Sequence, residues 1–146
     1  MISKTALHAI RAVVALAELP EGDFCGAGAI AKQVGAPQNY LGKLLQTLAQ
    51  SGILHSQRGL GGGFQLARDP AQITLYDVAE PIDHVSRWTG CFLGRPQCSA
   101  SNPCAMHFRW AKVRDVYLDM LINTTIAEVI RHGGVEMVSA ASPSAD

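Results

Sequence analysis

Cys91, Cys98, Cys104 and His107 fall within 17 residues, in the stretch GCFLGRPQCSASNPCAMH, and the chain has only one other cysteine, Cys25. Their spacing is C-x6-C-x5-C-x2-H. Thiolates and imidazoles are soft, strongly donating ligands for transition metals. Structural zinc sites commonly pair cysteines with about two to four residues between them, and these are not so paired. Wider gaps suit a loop wrapped around a larger inorganic group, and thiolates are the usual ligands of iron–sulfur clusters. The plainer alternative is a set of unligated thiols. Gly90, Gly94, Pro96 and Pro103 mark the stretch as a loop. His107 reads either as a fourth ligand or as a packing or capping residue at the start of a helix. Cys25, next to Phe24, reads as a small buried hydrophobe.

The rest of the chain must position that loop. With 146 residues, 48% of them hydrophobic and 16% charged, it can bury a core and is too apolar to be disordered. Arg11 and His8 interrupt the apolar stretch at the start, which argues against a signal peptide. No run is long enough to span a membrane. A cytoplasmic protein is expected, and its cysteines stay reduced there, so a tight group of them suggests metal or redox chemistry rather than a disulfide framework.

Net charge is zero, but its distribution is uneven. Residues 1–68 carry a balance of +3 and the remainder −3. Across the 45 residues from Phe24 to Arg68 there is no Asp or Glu. That window favours a surface facing a polyanion.

Periodicity places the elements. Ser3 caps a first helix whose apolar positions are Ala6, Leu7, Ile10, Val13, Val14 and Ala17, and Pro20–Asp23 stops it. A second helix covers Ala27–Val34 and ends at Gly35. Pro37 suits the first turn of a third helix. That helix carries Tyr40, Leu41, Leu44, Leu45 and Leu48 and ends at Ser51–Gly52. Ile53–Arg58 and Phe64–Arg68, around the loop Gly59–Gly63, form a hairpin. Three helices followed by a hairpin are a winged helix-turn-helix. Thr74 and Asp77 open a short helix that Pro81 should end or kink. Ala105–Asn123 is a long helix with Met106, Trp110, Val113, Val116, Tyr117, Met120 and Leu121 recurring at helical spacing. Too little chain remains to cover that stripe, so a second copy is expected to pack on it. Thr125 and Glu128 open a last short helix, and a mobile tail follows from Gly133.

The expected fold class is mainly α with a small β-hairpin wing, carrying a long dimerisation helix. The expected division is a DNA-binding domain over residues 1–80, a cluster-binding loop region over 81–104, a dimerisation helix with a short terminal helix over 105–132, and a tail over 133–146. On the third helix, Gln38, Asn39, Gly42, Lys43 and Gln46 lie opposite the leucines. There Asn and Gln can read adenine, and Lys can reach guanine or phosphate; an ordinary solvated face would look the same. The glycine loop lacks the GK[ST] ending of a phosphate cradle. With Arg58 at its base, and Gly61 and Gly62 letting the backbone approach closely, it suits a wing in a DNA minor groove.

These residues resemble a known family, the winged-helix dimeric regulators typified by the iron–sulfur cluster regulator IscR and the nitric-oxide-sensitive repressor NsrR. The likeness runs from Met1 to about His132. It is carried by SKTALHAIRAVVALAEL, NYLGKLLQTLAQSGIL, RGLGGGFQLAR, ITLYDV, the three cysteines, and the H-x2-W helix ending INTTIAEVI. The resemblance implies a homodimer on double-stranded palindromic operator DNA. It places Asn39 and Lys43 on the recognition helix, Arg58 in the wing, and Cys91, Cys98 and Cys104 on the cluster. Gly42 departs from relatives of the cluster-biogenesis type, which carry a carboxylate there, and the first gap between cysteines is one residue longer than theirs. For the fourth ligand, one branch of the family uses the histidine matching His107. Another uses a carboxylate of the partner's first helix, at the position of Leu7 here, which cannot ligate; its neighbour His8, acting in trans, is the second choice. Both 2Fe–2S and 4Fe–4S clusters remain open.

The expected function is a redox-, nitric-oxide- or iron-responsive repressor. A thiol-only sensor on the same scaffold, and an iron–sulfur or zinc protein without regulatory DNA binding, are the competing classes. No nucleophile–base pair or paired carboxylates point to an enzyme.

Overall fold

A computed structural model describes residues 1–134 and 136. The elements run α1 (Lys4–Ala17), α2 (Ala27–Val34), α3 (Gln38–Gln50), β1 (Leu54–Gln57), β2 (Gly63–Leu66), α4 (Leu75–Asp83), α5 (His107–Asn123) and α6 (Ile126–Arg131), with short 3-10 turns at Pro70–Gln72 and Val85–Thr89. The expected winged helix-turn-helix and long helix are both present.

Helix α1 is the central rod. Ser3 Oγ accepts the Ala6 N–H and starts it. Its small and β-branched residues Ala9, Ala12, Val13 and Val14 are completely buried. Around it pack Ile30 of α2, Leu41, Leu45 and Leu48 of α3, Val78 of α4 and Ile126 of α6. Ile126 thus shares the core of the first 80 residues, although it comes from the far end of the chain. Thr74 and Thr125 face each other as an isolated β-bridge, and each opens its helix with a reciprocal capping box.

Helices α2 and α3 form the helix-turn-helix. Gly35, at φ 70°, ends α2 in the left-handed conformation. Pro37 sits at the N-cap with extended backbone, one position before the first turn of α3 where it was expected. Strands β1 and β2 pair antiparallel, Leu54 opposite Leu66 and Gln57 opposite Gly63. They are shorter than the sequence suggests. Cys25 adds a third strand-like contact: its N–H donates to Phe64 O at 2.9 Å, and Phe64 N–H donates to Cys25 O at 2.8 Å. Gly63 makes that approach possible. Its φ is +131°, and a Cβ there would lie 2.3 Å from Cys25 O.

Two further expectations need correction. Pro81, expected to end or kink its helix, does not end it: it lies inside α4, which continues to Asp83 and stops where His84 turns to φ 50°. Helix α5 begins at His107, two residues later than expected, because Ala105 and Met106 belong to the turn that leaves the cysteine loop. Of the expected tail over 133–146, residue 135 and residues 137–146 lie outside the described residues.

The apolar positions of α5 do not form one stripe. Leu121 is buried with Ala6, Ala79 and Val85, and Tyr117 and Leu118 pack beside it. Val113, Val116 and Met120 point outward, 60%, 73% and 46% exposed. They recur at i, i+3 and i+7, one outward face of the helix. The sequence stripe is thus two neighbouring faces about 100° apart, one used within the chain and one left exposed.

Candidate metal centre and nucleic-acid interface

From Gly90 to Ala105 every residue is exposed except Cys91, Cys98 and Cys104. The loop turns its three thiols inward and little else. Their sulfurs lie within 4.8 Å of one another. Cys91 Sγ is 3.6 Å from Cys104 Sγ, and Cys98 Sγ is 3.2 Å from His107 Nδ1. The loop is folded by local bonds: Gly94 N–H donates to Cys91 O, Ser99 and Asn102 pair through their backbones, and Asn102 Nδ2 donates to Gln97 O. His107 N–H donates to Cys104 O at 3.1 Å, which fixes the last cysteine against the first turn of α5.

The thiols differ in acidity. The backbone N–H of Arg95, aided by that of Leu93 and by the other thiols, pulls Cys91 down to about 7. Cys98 receives a backbone hydrogen bond at Cys104 that favours its thiolate, but burial and the neighbouring sulfurs outweigh it and raise its pKa. One thiolate thus forms readily in the group, and a second next to it is opposed, as expected of like charges in contact. A cation between them removes that opposition. The three sulfurs converge as one group suited to a soft metal or an iron–sulfur cluster; the His107 imidazole lies outside that group, beside Cys98.

Sequence reasoning missed two residues that hold this loop. Trp110 Nε1 donates to Gly90 O at 3.1 Å, and its ring packs on Phe92. Arg114 Nη1 donates to Thr89 O at 3.4 Å. His107, Trp110 and Arg114 are spaced i, i+3 and i+7, so one face of α5 carries all three. That spacing is the signal; the sequence reading absorbed Trp110 into the dimer stripe instead.

His8 is elsewhere. It is 8% exposed on α1, with Nδ1 3.4 Å from the Tyr40 hydroxyl and its ring edge-on to that of Tyr40. Burial, with Arg11 and Lys4 nearby, lowers its pKa. Its ring is engaged within its own chain, between α1 and α3. Cys25 is half-buried and packs against the main core, and burial raises its pKa.

The nucleic-acid face is built from α3 and the hairpin. Gln38, Asn39, Lys43 and Gln46 are exposed along one side of α3, while Leu41, Leu44, Leu45 and Leu48 are buried on the other. Arg58 is exposed at the foot of the loop, Gly61 at its tip, and Gly62 is half-buried where the chain turns back. Gly62 N–H donates to Gly59 O at 3.1 Å, and a Cβ on Gly62 would lie 2.3 Å from Gln57 O. The loop is therefore a tight turn with no room for a side chain at that point.

Residues 2–132 match the Rrf2 family, described as "Iron-dependent Transcriptional regulator". The chain belongs to the Rrf2 family. The HTH-type transcriptional regulator IscR of Cronobacter sakazakii is 31% identical over 110 residues, 75% of this chain and 67% of that protein. Among solved structures, CymR of Bacillus subtilis, a global cysteine regulator, superposes with a TM-score of 0.73 at 21% identity, covering 90% of this chain and 97% of its own. IscR of T. potens gives 0.71 at 22% identity, covering 100% and 93%. These two structures establish the fold. This Rrf2 chain is an IscR-like transcriptional regulator with a DNA-binding winged helix, and its relatives are regulators, not enzymes. No helix among the described residues is long and apolar enough to cross a membrane.

Proposed function

We propose that this regulator is a homodimeric, operator-binding repressor of the cytoplasm, and that it senses redox, nitric oxide or iron status through an iron–sulfur cluster held by Cys91, Cys98, Cys104 and His107. The observation that carries this reading is the inward turn of the three cysteines alone in an exposed loop, with their sulfurs converging beside an imidazole. When bound, such a cluster supplies a centre whose charge and ligation respond to oxidants, nitric oxide and iron supply.

The chain's own part is mechanical. The loop is tied to α5 through Trp110, Arg114 and the His107 N–H. Its order therefore bears on the first turns of α5. The bare face of Val113, Val116 and Met120 on that helix is the seam with a second copy. The angle between the two copies sets the distance between their α3 helices, and so the fit to two half-sites of a palindrome. On each half-site, Gln38, Asn39 and Lys43 reach base edges in the major groove. Arg58 enters the adjacent minor groove, with the Gly61–Gly62 backbone close to the sugar–phosphate edge.

Anaerobic purification tests the cluster directly. The protein is expected to be brown and to contain iron and acid-labile sulfide, and losing them should change operator affinity at least tenfold. Zinc alone, or no metal after reconstitution, sinks the cluster reading. A second reading would then stand on the 3.6 Å separation of Cys91 and Cys104. Two thiols at that distance can be oxidised to a disulfide, giving up two protons and two electrons to an oxidant such as peroxide. Peroxide, rather than iron, would then alter operator binding.

The seam has its own test. In Val116→Glu, a carboxylate and its symmetry mate replace two valines in the middle of the apolar seam, where burial and like charge oppose them. The variant is expected to run as a monomer in light scattering at micromolar concentration and to bind a palindromic operator at least about 100-fold more weakly. An unchanged dimer would place the interface elsewhere.

A further inference from the structure

Gly42 stands in the middle of α3, where glycine is among the poorest helix formers. Nothing in the fold calls for it. Its φ is not in the left-handed region, and a Cβ built on it meets one atom within 4 Å, Ala27 Cβ at 3.9 Å, an ordinary van der Waals contact. This differs sharply from Gly62 and Gly63, where a Cβ would collide with backbone at 2.3 Å. The space above Gly42 is therefore open to something outside the chain.

That space is part of a groove of about 570 Å³ on the outward side of the helix-turn-helix. Ala27 and Phe64 give it an apolar floor beside Gly42, and Gln38, Asn39, Lys43 and Gln46 form a polar rim. No carboxylate occurs between Phe24 and Arg68, so nothing in this segment repels a duplex that approaches it. Ala27 opens α2 without a side-chain cap, so the first backbone N–H groups of that helix are donors for a phosphate at that end of the groove, while the Ala27 methyl and the Phe64 ring have no hydrogen bond to offer and suit an apolar group. In the major groove only one base edge presents an apolar projection, the 5-methyl group of thymine. The amide rim is suited to the N6 and N7 edge of an adenine nearby.

We propose that the recess at Gly42 receives the methyl group of one thymine in each operator half-site, making Gly42 a specificity-determining position. The inference rests on the DNA-binding reading above. It can fail while that reading survives.

The test combines one protein change with one DNA change. Operators are first enriched from a random duplex library with the full-length protein. Each thymine of the half-sites is then replaced in turn by deoxyuridine, which removes only the methyl. Wild-type protein is expected to lose about tenfold in affinity when one particular thymine is replaced in both half-sites, the effect of burying one methyl twice. Gly42→Ala fills the recess with its Cβ. It is expected to bind the thymine operator about tenfold more weakly than wild type, and to show no further loss with deoxyuridine at that position. Its melting temperature should rise, since alanine is the better helix former, so weakened binding cannot be ascribed to unfolding. The proposal is overturned if no thymine is methyl-sensitive, or if the same sensitivity persists in Gly42→Ala. If the library yields no enriched sequence, the DNA-binding reading falls, and this proposal with it.

Discussion

Cys98→Ala is expected to leave a folded dimer holding less than about a tenth of the wild-type iron and sulfide. Cys98 lies midway along the loop, and its Sγ makes the 3.2 Å contact with His107 Nδ1. Removing that sulfur deletes one donor and strands the imidazole. Altering even the partners of metal ligands commonly costs about 10–100-fold in metal affinity, so losing a ligand costs at least that. The fold, in contrast, barely depends on this residue. Cys98 belongs to neither buried cluster, and a substitution of that kind usually changes stability by no more than about 0.5 kcal/mol. Iron and sulfide assays together with a thermal melt separate the two effects. Cys25→Ala is the matched control, expected to keep the metal because its thiol packs on the core at the foot of the wing. If Cys98→Ala retained full iron content, the ligand set would have to be redrawn around the remaining donors.

The second large effect is at Gly63. Gly63→Ala places a Cβ 2.3 Å from the Cys25 carbonyl oxygen on a backbone at φ +131°. Both neighbours are backbone, so neither can swing aside. The strained φ costs roughly 1–3 kcal/mol, and parting Cys25 from Phe64 to relieve the clash gives up two hydrogen bonds of about 1 kcal/mol each. A destabilisation of about 3 kcal/mol is expected, lowering the melting temperature by about 10 °C in a domain of this size. Gly61→Ala provides the contrast. Its φ is +73° and nothing lies within 4 Å of the added Cβ, so only the conformational cost of about 1 kcal/mol applies. Equal melting temperatures for the two variants would mean that the hairpin does not depend on its pairing with Cys25.

The helices were legible because their signals are local. Gly35 ends α2, Ser3 caps α1, and the Thr74–Asp77 and Thr125–Glu128 pairs open α4 and α6, each within four residues of sequence. The cysteine group was legible for the same reason. What escaped depends on contacts across the chain. Pro81 reads as a stop or a kink, and the helix runs through it for two more residues. The α5 stripe looks like one face, because periodicity alone cannot tell which apolar residue meets α1 and α4 and which meets nothing. Trp110 and Arg114 looked like members of a generic helix, since their bonds to Gly90 and Thr89 span 20 and 25 residues. The pairing of Cys25 with Phe64 joins residues with no motif between them.

Helix α5 carries the thiol loop at its start and is clamped near its end, where Leu121 is buried among Ala6, Ala79 and Val85. Those two points are 14 residues apart, about 21 Å along a rod with a rise of 1.5 Å per residue. The outward residues Val113, Val116 and Met120 lie between them. Held over Tyr117, Leu118 and Leu121, such a rod would act as a lever about that end. A pivot of about 5° there displaces the loop end by about 2 Å, and less at each outward residue in proportion to its distance from the fulcrum. A displacement entering at the thiols would, along a rigid rod, reach the outer face in graded form: larger at Val113, smaller at Met120.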